Sequence, residues 1–197
     1  MRMSVCSGVL RALLCLLFAA GLLTGCAGKS APTRFYLLSA DDVLPAAVPQ
    51  EARAVLWLEK VEIPPYLDRP NIVVRGDAGR IYLAEFDYWA EPLRDSISRM
   101  LARKLAGDTN RAVVTESYAA GEDRVKIVIL RLDASTDGDV TMEAMWRLDS
   151  GGADTGEWHY FVNRLSAQQN NYSGYVQAHS RLLALLAEDI ARNVPAI

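Results

Sequence analysis

The sequence is poor in the residues that reactive chemistry uses. Of its 197 residues, three are cysteines and two are histidines. Cys6 and Cys15 lie in an apolar leader expected to be removed, which leaves Cys26 alone. One thiol can form no internal disulfide, no cysteine-ligated zinc site and no redox pair. No GxSxG elbow, Walker loop, GxGxxG turn or HExxH helix is present, so no pattern proposes a nucleophile or a phosphate cradle. His159 and His179 stand apart without ligand spacing and read as core or surface histidines, so no metal is expected. The segment DASTDGD at 133–139 departs from a calcium loop and has no Glu at its end, and a hairpin turn accounts for it better. Neither an enzyme nor a cofactor is expected. An excess of one charge is also missing: 21 Lys and Arg stand against 24 Asp and Glu, net −3, which argues against an electrostatic nucleic-acid binder.

A run long enough to span a bilayer is absent as well, and the short run that exists sets the compartment. Arg2 and Arg11 are the only charges before Lys29, and ALLCLLFAAGLLT lies between Arg11 and Gly25. It is too short for a transmembrane helix and reads as the core of a signal peptide. Leu23-Thr24-Gly25-Cys26 follows and resembles a bacterial lipobox: an apolar residue, two small ones, then the cysteine whose thiol is alkylated. The expected organisation is a cleaved signal peptide at 1–25, a lipidated tether at 26–33 and one domain at 34–197. The mature side chains then carry 24 acids against 19 bases. Each buried acyl methylene contributes about 0.8 kcal/mol, so several chains on Cys26 anchor the protein almost permanently. Ala27 stands where an Asp would be the inner-membrane retention signal, which implies the outer membrane of a Gram-negative bacterium, on its periplasmic face. The tether extends on the order of 25 Å at most, so an inner-membrane partner must come to the domain.

The remaining chain alternates short strand patterns with two helical ones. Residues 34–38 (RFYLL) read as a strand, 39–53 as a surface loop, and 54–63 (AVLWLEKVEI) as a strand stopped by Pro64-Pro65. Residues 72–75 and 80–86 flank a turn with two glycines and read as a hairpin. After Pro92, suited to a first helical turn, Leu93, Ile97, Met100, Leu101 and Leu105 recur at helical spacing, and Gly107 is expected to end the helix. Residues 112–115 read as a strand parallel to 54–63, with the helix in the crossover. Strands at 125–132, 140–148 and 157–165 form a meander whose first turn is Asp137-Gly138. A second helix is expected at about 173–193, with Val176, Leu182, Leu183, Leu186 and Ile190 as its apolar stripe.

Several spaced segments carry a resemblance. RFYLL at 34–38, VLWLEKVEIPPYLDRPNIVVR at 55–75 and YWAEPLRDSISRML at 88–101 together resemble the ABC-type transport auxiliary lipoprotein family. Phe35 and Tyr36 match its N-terminal aromatic pair; Val61, Pro64, Tyr66, Leu67, Arg69 and Pro70 match its V-x-x-P-x-Y-L-x-R-P stretch. Trp89, Pro92 and Leu93 match its W-A-x-P-L helix start, and Leu186, Ile190 and Val194 continue the match in the last helix. The resemblance implies an α/β fold in three layers, a mixed sheet flanked by helices, similar to anticodon-binding domains. It also implies a non-catalytic outer-membrane lipoprotein serving an ABC or MCE-type system that moves lipid or other hydrophobic molecules between the membranes. Its partners would be the outer membrane through the lipid anchor, a periplasmic MCE or ABC transporter component and, with the oligomeric state open, further copies forming a homo-oligomer. The alternative is a cell-envelope scaffold that assists assembly of another machine. Tyr66, Arg69 and Pro70 form the expected docking loop, because arginine and tyrosine favour interface hot spots. Trp89 and Pro92 are expected to be structural, the indole packing as a buried staple onto the helix that follows.

Overall fold

The computed structural model describes residues 30–39, 54–115, 123–151 and 155–195; the leader, Cys26 and nearly all of the expected surface loop lie outside them. The strands are β1 (Arg34–Tyr36), β2 (Val55–Leu58), β3 (Asn71–Arg75), β4 (Ile81–Trp89), β5 (Ala112–Val114), β6 (Asp123–Ser135), β7 (Asp139–Asp149) and β8 (His159–Ser166). The helices are α1 (Leu93–Thr109) and α2 (Tyr172–Ala191). The strands form one open mixed sheet, which with the two helices is consistent with the expected three-layer α/β fold.

Strand β6 organises the sheet. One edge pairs antiparallel with β7, and β7 with β8, giving the expected meander. The other edge is shared end to end: β2 runs parallel to its start, Leu58 opposite Val125, and β3 runs parallel to its end, Val74 opposite Ala134. Beyond β2 lies β5, parallel as expected, with Val55 opposite Ala112. Beyond β3 lies β4, antiparallel, and beyond that β1, parallel to β4.

Alternation along β6 and β7 builds the core. Val125, Ile127, Ile129, Leu132 and Ala134 are buried, as are Val140, Met142, Ala144 and Trp146. They cluster with Ile97, Leu101 and Leu105 of α1 and Leu182, Leu183, Leu186 and Ile190 of α2. The buried phase changes after Ile129, where the register to β7 shifts by a bulge. The alternate positions Arg124, Lys126, Arg131 and Arg147 point to the other face, where they pair with Glu59, Glu62, Asp133, Glu143 and Asp149.

Four expectations need correction. The strand at 54–63 is not continuous: β2 ends at Leu58, and pairing resumes at Glu62 opposite Val128, with one residue more on this strand than on β6. Gly107 does not end α1. The helix continues to Thr109 because Leu105 and Ala106 keep packing and Lys104 bonds Asp108 at 2.7 Å, and Asn110 in the left-handed region terminates it. Pro92 is the N-cap of α1, its carbonyl accepting from the amides of Asp95 and Ser96, and so lies one position before the first turn. The last strand begins at His159, not at Glu157. The N-cap of α2 is Asn171, whose side chain accepts from the Gly174 amide at 2.9 Å.

Candidate functional site

The sheet brings two distant sequence segments to one place. After Pro64 and Pro65 the chain makes tight turns, the Leu67 amide donating to the Pro64 carbonyl at 3.0 Å and the Arg69 amide to the Leu67 carbonyl at 2.8 Å. Leu67 is buried and fixes the loop to the core. The Trp89 amide then donates to the Pro70 carbonyl at 2.7 Å, joining this loop to the end of β4 and the start of α1. Between them lies an open groove of about 400 Å³, lined by Asp68, Arg69, Pro70, Trp89, Ala90, Glu91, Pro92 and Leu93.

Its electrostatics leave one cation over. Arg94 of α1 binds Asp68 at 2.9 Å across the groove wall, and Arg99 grips Glu91 with both guanidinium nitrogens. The Arg99 hydrogen bond outweighs partial burial and holds the Glu91 carboxyl below its ordinary range. Both acids are thus neutralised. The Arg69 guanidinium has no side-chain partner among the described residues, and its Nε is buried without a hydrogen bond. Beside it stand Pro70, Trp89 and Leu93, an apolar wall for whatever carries the matching negative charge.

The sequence-predicted residues divide here. Arg69, Pro70, Trp89 and Pro92 meet in the groove. Tyr66 does not: its hydroxyl donates to Asp133 Oδ2 at 2.7 Å, and Arg75, stacked 5.5 Å over its ring, binds the same carboxylate. Burial and the bond to Asp133 push the Tyr66 hydroxyl up to about 12. Burial alone would raise the Asp133 carboxyl, but the hydrogen bonds from Arg75 and Tyr66, with the charges of Arg131 and Arg75, hold it below its ordinary value. Tyr66 therefore pins the far side of the loop to β6. Trp89 is buried, yet its aromatic partner is on α2 and not on α1: the indole meets His179 edge-on at 5.7 Å. His179 is a core histidine, its Nδ1 2.6 Å from the Tyr175 carbonyl oxygen, and burial lowers its pKa. His159 stacks on Trp146 at 4.2 Å. Cys26 lies outside the described residues.

Sequence reasoning missed Asp68 and Glu91, which flank the expected residues but show their pairing only in space, and Asp87. Asp87 is buried and accepts from Arg34 at 2.7 and 2.8 Å and from the Tyr36 hydroxyl at 2.7 Å, fastening β1 to β4. Among the described residues no group of three or more His, Cys, Asp or Glu could hold a metal, and no helix is long and apolar enough to cross a membrane.

The chain has relatives. The model of a family described as the ABC-type transport auxiliary lipoprotein component matches residues 36–191. The intermembrane transport lipoprotein PqiC of Escherichia coli (strain K12) is 23% identical over 135 residues, 68% of this chain and 72% of that protein; PqiC of Shigella flexneri matches equally. Among solved structures, an uncharacterized protein superposes with TM-score 0.73 at 21% identity, over 84% of this chain and 100% of that one. Protein XCC0632 from Xanthomonas campestris follows with TM-score 0.62 at 18% identity, over 80% and 92%. At such identities the structures show a shared fold.

Proposed function

This chain belongs to the ABC-type transport auxiliary lipoprotein family, and on that premise we propose that it is a non-catalytic lipoprotein anchored through acylated Cys26 in the outer membrane, facing the periplasm. There it serves an ABC or MCE-type system that moves lipid or other hydrophobic molecules between the two membranes. The family is one of transport auxiliaries and not of enzymes, and the name of the PqiC relative, an intermembrane transport lipoprotein, supports the same reading.

The observation that carries the docking role is the groove. An arginine without a side-chain partner among the described residues, beside a buried tryptophan and two prolines, fits a protein surface presenting a carboxylate next to an apolar side chain. The periplasmic component of the transporter is that partner. Envelope crosslinking through a photoreactive residue at Pro70 identifies it, and a titration of the purified pair then tests Arg69. Arg69→Ala is expected to weaken binding by about 2 kcal/mol, roughly thirtyfold, with an unchanged melting temperature. Equal affinities for wild type and variant would remove the groove from the interface.

A further inference from the structure

The groove beside Arg69 offers no ladder to a passing strand. Of the backbone that lines it, the Asp68 amide already donates to the Pro65 carbonyl at 3.2 Å and the Arg69 amide to the Leu67 carbonyl at 2.8 Å. The Trp89 and Ala90 amides donate to the carbonyls of Pro70 and Tyr36, at 2.7 and 2.8 Å. Pro70 and Pro92 have no N–H at all. An extended segment running through would leave its own peptide groups without partners, which is unfavourable for each one buried. Nor does the space suit a helix. The groove holds about 400 Å³. Two helical turns, about 10 Å wide and about 11 Å long, fill on the order of 850 Å³. What fits is one or two residues.

What the groove offers is a charge beside an apolar wall. Asp68 and Glu91 are neutralised by Arg94 and Arg99. The Arg69 guanidinium has no side-chain partner among the described residues, and its Nε is buried and unbonded. Pro70, Trp89 and Leu93 stand next to it. Helix α1 begins here with no side chain capping its first turn, so the Leu93 amide, one of the donors that a helix leaves over, adds to the same polarity.

An occupant must therefore bring a negative charge and an apolar group into the space of one or two residues. A residue inside a chain carries one or the other on its side chain, and its main chain must leave in two directions past walls that offer few donors. A C-terminal residue carries both on one Cα: the carboxylate is its own main chain, the side chain is free to be apolar, and a single peptide bond enters the groove. We infer that the groove receives the C-terminal residue of a partner chain, an apolar one, with its α-carboxylate on Arg69 and its side chain against Trp89 and Leu93. This rests on the docking role proposed above and names the part of the partner that docks.

The test uses the full mature chain in dodecyl maltoside and three fluorescein-labelled peptides. One is Gly-Ser-Gly-Ser-Leu with a free C-terminal carboxylate, the second is the same peptide amidated, and the third is amidated Gly-Ser-Asp-Leu-Gly, which carries its acid internally. Anisotropy titrations are expected to give the free acid about tenfold tighter binding than either amidated peptide. Arg69→Ala, with a wild-type thermal melt, is expected to bring the free acid down to their level. Arg69→Lys keeps the charge without the planar fork and should retain part of the preference. Equal binding of the acid and its amide, binding of neither included, overturns the inference, as does an internal acid that binds as tightly as the terminal one. In that event an Arg69-dependent affinity for the crosslinked partner still upholds the docking role, and its absence removes both. Should Arg69→Ala melt early, the comparison of acid with amide on the unaltered protein decides alone.

Discussion

Trp89 serves the fold and the groove at once. Its indole is 5% exposed, packs edge-on against His179, and closes the groove floor beside Arg69. Trp89→Ala is expected to cost about 3 to 5 kcal/mol, read as a lowered melting temperature. Such a loss is a large part of a domain's margin, so binding by this variant must be measured well below its melting point. Tyr66 offers a cleaner residue-scale test, because its effect has a pH signature. Its hydroxyl titrates higher in the folded state than the ordinary 10.0, so the native state favours the protonated form. That stability is complete below pH 10 and is lost as pH rises towards about 12. Tyr66→Phe removes a hydrogen bond to a charged group, worth about 1.5 to 3 kcal/mol near neutrality. Denaturant titrations should then show the gap between wild type and variant narrowing above pH 10. A constant gap would mean that the bond to Asp133 does not set the Tyr66 pKa. Asp133 has the opposite sign: its folded pKa lies below the ordinary 3.8, so its stabilisation is present above that value and lost as pH falls further.

Elements were legible where local chemistry decides them. Asp137-Gly138 announced the β6–β7 turn, and Gly138 adopts φ 93°, a conformation glycine takes without steric cost. The β3–β4 turn was legible too, but one of its residues fits poorly: Ala78 sits at φ 53° and Gly79 at φ 75°, with the Arg80 amide closing the turn on the Asp77 carbonyl at 3.1 Å. Alanine is disfavoured there and asparagine tolerated, so Ala78→Asn is expected to stabilise the domain by about 0.5 to 1 kcal/mol, seen as a higher melting temperature. The β6 bulge was written in the sequence as a change of phase, Val125, Ile127 and Ile129 followed by Leu132 and Ala134, which a single strand assignment passes over. The interruption of β2 was not legible, because residues 59–61 have ordinary strand composition and only their pairing with β6 shows the extra residue. The true end of α1 was equally hidden, since it depends on burial of Leu105 and Ala106 and on the ion pairs of Lys104. For the site, the motifs at 64–70 and 89–93 were visible, but their convergence on one groove follows from β3 and β4 lying side by side, and the diversion of Tyr66 follows from Asp133, a partner 67 positions away.

For the whole molecule, the first test is attachment. Cys26→Ser is expected to prevent acylation and, where a signal peptidase still processes the chain, to release the domain into the soluble fraction. A chain without acyl groups that stays with membranes through a carbonate wash would show a second attachment. The parallel pairing of β1 with β4 has a mechanical consequence. A pull directed along β1 from its Arg34 end loads the hydrogen bonds between β1 and β4 in shear, so that they must fail together instead of opening one by one. The two bonds from Arg34 to Asp87 and the third from Tyr36 act in parallel with that ladder. At three residues β1 is as short as β5, yet it is built as a joint that carries such a pull into the core without peeling away.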